Sequence, residues 1–407
     1  MRKCGLLGEK LGHSYSPAIH GMLADYTYQL YERAPGEVER FVKEGDWDGL
    51  NVTIPYKKTV LPFCSELSDR ARKIGSVNTL VRREDGSIYG DNTDAYGFEK
   101  LLARSGISIP GKKALVLGSG GASVMACAVL EELGAAQVVV ISRGGENHYG
   151  NLDRHADAHL IVNTTPVGMY PKNGTAAVDL SVFPQCEGVI DVVYNPARTA
   201  LLLQAERLAI PCAGGLYMLV AQAKRSAELF TGQPIPDSEI DRIERSLRLS
   251  MENIVLIGMP GSGKSSVAAL LGQRLGRVVL EADEEVIKMA GCPIPEIFAR
   301  EGEEGFRARE NLVLQKLGKL SGAILSTGGG CVTREENYDL LHQNGRIFCL
   351  QRDTARLPKE GRPISQKSDL EELYRKRRPF YERFADVMVD NNGTLEETVE
   401  KILEDIT

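Results

Sequence analysis

Short apolar segments alternate with amphipathic stretches along most of the chain. Strand-like segments occupy 4–8, 49–54 and 77–82, with helical stretches between them. From Lys113 onward the order becomes apolar strand, Gly-rich turn, helix, strand. Because strands that alternate with helices are typical of parallel sheets, this pattern predicts an α/β fold.

The same alternation continues and then starts again. Further strands are predicted at 114–118, 137–142, 160–163 and 189–193, and helices at 199–208 and 216–230. A cluster of turn-forming residues at 232–237 precedes a charged helical stretch at 238–249. Met251 then opens a second α/β pattern. We therefore place the main domain boundary near 245–251.

Length and composition narrow the class of protein. A chain of 407 residues exceeds the roughly 250–300 residues that one hydrophobic core supports, which predicts two or three domains. Hydrophobic residues make up 43% and charged residues 26%, as in ordinary globular proteins. The net charge of −6 disfavours a non-specific nucleic-acid binder.

Other features indicate the compartment. The apolar runs are much shorter than the roughly 20 residues that span a bilayer, and the N-terminus lacks the apolar region of a signal peptide. The eight cysteines form no C-x-x-C pair, so we expect free thiols and no zinc site. These features predict a cytoplasmic protein without a membrane partner.

The second α/β pattern opens with a phosphate-binding motif. The run Gly258-Met-Pro-Gly-Ser-Gly-Lys-Ser265 fits G-x-x-x-x-G-K-[ST] and lies between an apolar strand and a helix. Such a loop directs backbone N–H groups at phosphate oxygens, while the lysine reaches the outer phosphates and the last hydroxyl ligates Mg²⁺. The predicted nucleotide-binding residues are Gly261, Ser262, Gly263, Lys264, Ser265 and Ser266.

Several further motifs follow the phosphate-binding loop in order. They are Glu281-Ala-Asp283 after the next strand, Phe306-Arg307, Thr327-Gly-Gly-Gly330, Arg362-Pro363 and Arg377-Arg-Pro-Phe-Tyr381. Together with the loop, this set resembles shikimate kinase, a small P-loop enzyme of the nucleoside-monophosphate-kinase type. The resemblance covers residues 252–407.

The resemblance implies a role for each matched residue. Asp283 would bind the shikimate hydroxyls and accept a proton from the attacking one. Arg307 and Arg377 would hold the substrate carboxylate beside Gly329 and Gly330, and Arg362 would stabilise the transferred phosphoryl group. ATP and Mg²⁺ are the implied cofactors, with Ser265 and Glu281 at the metal.

Two departures from the kinase pattern concern the nucleotide. The family usually has Asp where this chain has Glu281, and the additional methylene changes the reach of the carboxylate. The predicted lid at 351–361 is also short for the family. Both departures bear on rate and ATP affinity.

The first α/β pattern contains a second Gly-rich turn. Gly118-Ser-Gly-Gly-Ala-Ser123 follows an apolar strand and opens a helix, as in dinucleotide-binding domains. The next strand ends at Ser142-Arg143. A basic residue at this position favours the 2′-phosphate of NADP over the bare ribose of NAD. The predicted cofactor-binding residues are Gly118, Ser119, Gly120, Gly121, Ala122, Ser123, Ser142, Arg143 and Gly215.

Polar motifs are dense in the first hundred residues. They are His13-Ser14-Tyr-Ser16-Pro17, Asn51-Val-Thr53-Ile-Pro-Tyr-Lys57, Val77-Asn78-Thr79 and Gly90-Asp-Asn-Thr-Asp94. Many amides and hydroxyls with few aromatic rings suit a small polyhydroxylated acid. With Gly215-Leu-Tyr-Met-Leu-Val-Ala-Gln222, the set resembles shikimate dehydrogenase over residues 1 to about 245.

This second resemblance also implies roles. Lys57 and Asp94 would be the catalytic pair that supplies a proton while NADPH reduces the ring ketone of 3-dehydroshikimate. Ser14 and Ser16 would bind the substrate carboxylate. Thr53, Asn78, Tyr194 and Gln222 would bind the ring hydroxyls or line the pocket. One departure is that the chain after Arg143 lacks the family's longer helical excursion.

The two resemblances imply three domains. Residues 1–100, completed by about 215–245, would bind the dehydrogenase substrate. Residues 101–214 would form a Rossmann-like NADP domain, and 252–407 the P-loop kinase domain. The implied function is a bifunctional enzyme of aromatic amino-acid biosynthesis that makes shikimate and then phosphorylates it to 3-phosphoshikimate.

Three alternatives stay open at this point. The dehydrogenase could prefer quinate with NAD, which Arg143 disfavours. The P-loop domain could sense nucleotide without transferring phosphate, and Glu281 with the short lid keeps this alternative. The kinase could act on another polyol acid such as gluconate, which Arg307 and Arg377 disfavour. The oligomeric state is open, a monomer being one expectation.

Overall fold

A computed structural model describes residues 1–12, 14–357 and 370–406. The chain divides into two compact units. The first comprises Met1–Met169, Thr175–Tyr194 and Leu201–Ser246, and the second comprises Tyr170–Gly174, Asn195–Ala200 and Leu247–Thr407. Among the described residues, every helix is too short or too polar to cross a membrane.

The first unit begins with a mixed sheet of six strands. Its order is β2-β1-β3-β5-β6-β4, with β1 parallel to β2 and β3, and β5 antiparallel to β3 and β6. The strands are β1 (Lys3–Gly8), β2 (Thr27–Glu32), β3 (Gly49–Val52), β4 (Glu66–Leu67), β5 (Thr79–Arg82) and β6 (Ile88–Asp91). The helices are α1 (Ser16–Leu23), α2 (Val38–Glu44), α3 (Asp69–Ile74) and α4 (Thr93–Ser105).

A parallel sheet of five strands follows in the same unit. Its order is β11-β10-β9-β7-β8. The strands are β7 (Lys113–Leu117), β8 (Gln137–Ile141), β9 (Leu160–Asn163), β10 (Gly188–Asp191) and β11 (Cys212–Gly214). The helices are α5 (Gly121–Glu132), α6 (Ala200–Arg207) and α7 (Leu216–Thr231). Helix α8 (Ser238–Met251) begins in the first unit and ends in the second, since the division along the chain falls after Ser246.

The strands of this second sheet are largely apolar, which agrees with helices packed on both faces of the sheet. All four residues of β9 are buried, and so are Ala114 to Leu117 of β7. One set of buried side chains packs under α4 and α5, and the other packs under α6. Strands that are buried on both faces have no polar alternation, as expected for a parallel sheet.

The crossover from β8 to β9 lacks an α-helix. Residues 142–159 contain only a short 3-10 helix at Leu152–His155. The expectation that the chain is trimmed after Arg143 is therefore confirmed in the described residues.

The second unit contains another parallel sheet of five strands. Its order is β13-β14-β12-β15-β16. The strands are β12 (Asn253–Ile257), β13 (Val279–Glu281), β14 (Ile324–Ser326), β15 (Gly345–Gln351) and β16 (Val387–Asp390). The helices are α9 (Lys264–Leu275), α10 (Ala282–Ala290), α11 (Ile294–Leu317), α12 (Glu336–His342), α13 (Leu370–Phe384) and α14 (Leu395–Ile406).

The topology of this sheet positions its functional loops. Strands β14 and β15 lie on either side of β12, and β13 pairs with β14; all of these pairs are parallel. The carboxyl ends of the four strands therefore lie at one edge of the sheet. The motifs predicted at 258–265, 281–283 and 327–330 lie at this edge, where the strands end and the following loops or helices begin. Ligands of open α/β sheets bind at this edge. The predicted α/β class is confirmed in both units.

Candidate functional site

In the first unit, Lys57 and Asp94 form an ion pair. The Lys57 Nζ lies 2.5 Å from Asp94 Oδ2, and the two side chains are 28% and 20% exposed. Lys57 follows β3, and Asp94 lies in the first turn of α4. The Asn92 side chain caps this helix by accepting a hydrogen bond from the Ala95 N–H. The cap fixes the direction in which Asp94 leaves the helix.

A cavity of about 250 Å³ lies beside this pair. All eight residues predicted to bind or convert the first substrate line it. They are Ser14, Ser16, Thr53, Lys57, Asn78, Asp94, Tyr194 and Gln222. Gly215, which was predicted to contact the cofactor, lines the same cavity. Separate parts of the chain therefore converge on one polar site.

The wall behind the cavity fixes the Asn78 amide. Asn78 Oδ1 accepts hydrogen bonds from the Thr93 N–H at 2.7 Å and from the Thr79 and Thr93 hydroxyls at 3.2 Å. With the oxygen occupied, the amide nitrogen remains to donate into the cavity. Asn78 Nδ2 can thus donate a hydrogen bond to a hydroxyl oxygen of the substrate.

Two further polar residues of the cavity, Asn51 and Tyr15, had no assigned role. Asn51 is buried, donates to Ser226 Oγ at 2.7 Å and accepts from the Tyr28 hydroxyl at 2.8 Å. Tyr15 packs edge-on against Tyr194, with ring centroids 6.0 Å apart. Burial raises the pKa of both Tyr15 and Tyr194, so each keeps a neutral hydroxyl at neutral pH. Tyr15 lies between Ser14 and Ser16, two predicted substrate-binding residues, and this position in the motif could have indicated that it also lines the cavity.

The Gly-rich turn of the first unit connects β7 to α5. Gly120 precedes α5 and offers no side-chain cap to the first N–H groups of the helix. Apart from the adjacent backbone, no atom of the described residues comes within 4 Å of the place where a Cβ would stand at Gly120 or Gly121. Ser119 is exposed and Ser123 is buried. Uncapped N–H groups beside open space fit a pyrophosphate.

The end of β8 supplies a cation near this turn. The Gly118 N–H donates to Ile141 O at 2.8 Å, which holds the turn against the end of β8. Ser142 and Arg143 follow directly, and the Ser142 hydroxyl donates to Gly144 O. Arg143 is exposed, and its guanidinium forms no hydrogen bond or ion pair with another described residue. It is therefore available to an anion.

In the second unit, the phosphate-binding loop joins β12 to α9. Gly263 has φ +94°, a conformation that residues with side chains rarely adopt, and it precedes α9 without a side-chain cap. Lys264 is 8% exposed, and its Nζ donates to the carbonyls of Gly258 and Met259 at 3.0 Å. The loop thus presents backbone N–H groups and the Lys264 ammonium, which two backbone carbonyls hold in place, to a phosphate chain.

A second cavity, of about 820 Å³, opens over this loop. Sequence-predicted residues that line it are Gly261, Gly263, Lys264, Ser265, Ser266, Glu281, Asp283, Arg307, Gly329, Gly330 and Arg377. Ser262 is fully buried and does not line the cavity. Arg362 lies outside the described residues.

Buried charges meet beneath this cavity. Arg307 Nη1 donates to Glu310 Oε2 at 2.7 Å, and Glu310 is fully buried. Burial raises the pKa of Glu310 to about 7, although Arg307 lowers it. Burial also raises the pKa of Asp283, against the pull of Lys264 and Arg307. Glu310 had no predicted role, but its position three residues after Arg307 on α11 places both on one helix face.

Asp283 is open to a ligand. Its Oδ1 is shielded from solvent and has no hydrogen-bond partner among the described residues. A buried polar atom without a partner costs free energy, which a substrate hydroxyl would recover by donating to it.

The Gly triplet is held by α13. Arg377 Nη1 donates to Gly329 O at 3.1 Å, and the buried Tyr381 hydroxyl donates to the same carbonyl. A Cβ at Gly330 would overlap the Arg307 guanidinium. Glycine thus lets the backbone lie against Arg307 without moving its guanidinium. The guanidinium groups of Arg307 and Arg377 both lie beside this turn.

The metal-binding prediction rests on two residues near the loop. Glu281 ends β13 and is paired with Ser326 of β14. The Ser326 hydroxyl is buried and has no partner among the described residues. Ser265 is exposed at the start of α9. Hydroxyl and carboxylate oxygens are the ligands that Mg²⁺ takes in addition to water and nucleotide phosphates.

Comparison with known proteins decides the family of the first unit. Residues 6–80 match the family described as shikimate dehydrogenase substrate binding domain. A relative from Clostridium perfringens (strain 13 / Type A), named shikimate dehydrogenase (NADP(+)), is 36% identical over 270 residues, which are 61% of this chain and 99% of the relative. The chain belongs to the shikimate dehydrogenase family.

Solved structures of this family show the same fold. A chorismate mutase/shikimate 5-dehydrogenase fusion protein from Clostridium acetobutylicum is 37% identical, with a TM-score of 0.58 over 60% of this chain and 96% of that chain. Shikimate 5-dehydrogenase from Thermus thermophilus, in complex with NADP(H) and shikimate, is 30% identical, with a TM-score of 0.56 over 60% of this chain and 99% of that chain.

The C-terminal part of the chain matches a second family model. Residues 260–407 match the family described as shikimate kinase. The match begins inside the phosphate-binding loop and extends through α14. Both families that the sequence motifs indicated are confirmed.

Proposed function

We propose that this chain catalyses two consecutive reactions. The first unit reduces 3-dehydroshikimate to shikimate with NADPH, and the kinase domain phosphorylates shikimate to 3-phosphoshikimate with MgATP. For the first reaction, the observation that carries the proposal is the Lys57–Asp94 pair in a cavity lined by all the predicted substrate residues. For the second, it is the cavity that places Lys264, Asp283, Arg307 and Arg377 together.

Each residue of the first site has a task in the reduction. NADPH supplies a hydride to the ketone carbon when it is bound. The Lys57 ammonium, held by Asp94, donates a proton to the ketone oxygen as negative charge develops there, and solvent reprotonates the amine. Ser14 and Ser16 bind the carboxylate, while Thr53, Asn78, Tyr194 and Gln222 orient the ring.

The cofactor preference rests on the end of β8. The uncapped start of α5 and the exposed Arg143 fit a dinucleotide that carries a 2′-phosphate. A guanidinium binds phosphate in bidentate fashion, whereas the 2′-hydroxyl of NAD would leave it unpaired. Arg143 therefore supports NADP over NAD and disfavours the quinate alternative.

Each residue of the second site has a task in phosphoryl transfer. ATP with Mg²⁺ supplies the γ-phosphoryl group when it is bound. The loop from Gly258 to Ser265 would hold the phosphates, and Ser265 and Glu281 would hold the metal. Arg307 and Arg377 bind the substrate carboxylate, and Asp283 takes the proton of the attacking hydroxyl. The raised pKa of Asp283 makes it a better proton acceptor.

Domain roles follow from these assignments. Residues 1–100 with 215–245 bind the dehydrogenase substrate, 101–214 bind NADP, and 252–407 form the kinase. A cytoplasmic location fits a pathway that uses NADPH and ATP.

Two separate assays on the full chain test the proposal. The first follows NADPH oxidation with 3-dehydroshikimate, with NADH and quinate as comparisons. The second follows ADP release with shikimate, with gluconate as the comparison. Absence of NADPH oxidation would contradict the first assignment, and absence of ADP release with shikimate would contradict the second.

The nucleotide-sensing alternative has one observation in its favour, namely Glu281 at the expected metal site. It predicts that MgATP binds and alters dehydrogenase rates without ADP release. The second assay separates it from a working kinase.

A further inference from the structure

Arg352 lies beside the phosphate-binding loop. It follows the last residue of β15 and lines the kinase cavity together with Gly261, Gly263 and Lys264. Its Nη1 is 3.7 Å from the place where a Cβ would stand at Gly263. The guanidinium therefore faces the glycine that precedes the held Lys264.

Arg352 differs from the other arginines of this cavity in its partners. Arg307 pairs with Glu310 at 2.7 Å. Arg377 donates to Gly329 O at 3.1 Å, and Arg356 donates to Asn392 O at 2.6 Å. The Arg352 guanidinium forms no hydrogen bond or ion pair within the part of the chain that the structure describes, and its Nε is shielded from solvent without an acceptor.

A buried donor without an acceptor costs free energy, so a ligand that supplies an acceptor to Arg352 would be stabilised here. Such a ligand must accept hydrogen bonds from a planar cation and must lie next to backbone N–H groups that also favour an anion. A phosphate oxygen meets both requirements, since guanidinium groups bind phosphate with two parallel hydrogen bonds.

We propose that Arg352 binds the phosphate chain of ATP and shares this task with Lys264. The proposal rests on the proposed kinase function, because it assigns a further residue to the same nucleotide site. It adds a second cation, at the end of β15, to the one that Lys264 supplies.

Equilibrium binding to the full chain tests the proposal. The ligands are MgATP, magnesium tripolyphosphate, which lacks the adenine ring, and adenosine, which lacks phosphate; each is measured by competition against a fluorescent ATP analogue. Arg352→Ala should weaken MgATP and tripolyphosphate about 10- to 100-fold, as expected for loss of one charge-assisted pair, and leave adenosine unchanged. Arg352→Lys should restore part of the loss.

The matched control is Arg274→Ala. Arg274 pairs with Glu400 at 2.8 Å and does not line the cavity, so its removal should leave the affinities for all three ligands unchanged. Unchanged tripolyphosphate binding in Arg352→Ala would overturn the proposal. A loss of affinity for adenosine without a loss for tripolyphosphate would overturn it too, and would place Arg352 at the base instead. If the wild-type chain binds MgATP but releases no ADP with shikimate, the kinase function fails while the assignment of Arg352 stands on the binding data.

Discussion

At the scale of single residues, the Lys57–Asp94 pair connects fold to chemistry. An ion pair between exposed side chains stabilises a protein by at most about 1 kcal/mol. This pair is only partly exposed and lies in a polar cavity, and the proposed mechanism uses it to supply a proton from Lys57.

Lys57→Ala should lower kcat of the reduction by about 10²- to 10⁴-fold, because the developing alkoxide loses its proton donor. NADPH binding, measured by fluorescence, should be unchanged. Lys58→Ala is the matched control, since Lys58 is exposed and adjacent and has the same charge. Equal losses in both variants would remove Lys57 from the mechanism.

Arg143→Ala should lower kcat/KM for NADPH about 10- to 100-fold and leave kcat/KM for NADH nearly unchanged, since only the 2′-phosphate loses a partner. Lys112→Ala serves as control, because Lys112 precedes β7 at the end opposite the Gly-rich turn. A parallel loss with both cofactors would show that Arg143 does not read the 2′-phosphate.

The sequence predicted residues that belong to dense local motifs, such as Asn78, Asp283 and the Gly triplet. It assigned no role to Glu310 or Arg352, and it did not pair the Tyr381 hydroxyl with Gly329, which is 52 residues away. The importance of these residues depends on burial and on partners distant in sequence. Local sequence patterns predict neither the burial of a side chain nor its long-range partners.

At the scale of elements, the turn after β14 brings its backbone at Gly330 into contact with Arg307 of α11. Gly330→Ala would push a methyl group into the Arg307 guanidinium. We expect KM for shikimate to rise by roughly tenfold or more while KM for MgATP stays within about twofold, because the clash lies at Arg307, which is proposed to bind the substrate carboxylate.

Gly291→Ala is the control for that variant. Gly291 has φ +69° and an open surrounding, so alanine there adds backbone strain of about 1 kcal/mol without entering the cavity. A similar rise in KM for shikimate in both variants would indicate general destabilisation rather than a local clash.

Helix α11 also makes kinase stability depend on pH. Burial raises the pKa of Glu310 to about 7 from 4.5, so the unfolded chain loses this proton first. Stability should therefore fall as pH rises from about 4.5 to 7, by up to roughly 3 kcal/mol from this group. Asp283, with its raised pKa, acts in the same direction.

Glu310→Gln should flatten this slope. The free energy of unfolding of the kinase domain can be measured at about pH 5 and about pH 7.5 by urea titration with peptide-resolved hydrogen exchange. A slope that is unchanged by the substitution would show that Glu310 is ionised throughout this range.

Elements were predicted more closely than their irregularities. The strands predicted at 160–163 and 114–118 agree with β9 and β7 within one residue at each end, because buried parallel strands are short apolar runs between turn signals. The break in α11 at Gly302, with φ +70°, was not predicted, since the residues around it favour a continuous helix.

At the scale of the whole molecule, each activity should survive loss of the other. Lys57→Ala should leave ADP release with shikimate at the wild-type rate, and Lys264→Ala should leave NADPH oxidation unchanged while ADP release falls by about 10²-fold or more. Each cavity is lined by residues of its own unit, which is the physical reason for this independence. Loss of both activities in either variant would contradict it.

The central claim is that one chain carries out both steps. The most direct test incubates the purified chain with 3-dehydroshikimate, NADPH and MgATP and identifies the products by mass spectrometry. The account predicts 3-phosphoshikimate, formed with one NADPH oxidised and one ATP consumed per molecule. Shikimate that accumulates without its phosphate ester would contradict the account at the kinase site, and unchanged 3-dehydroshikimate would contradict it at the dehydrogenase site.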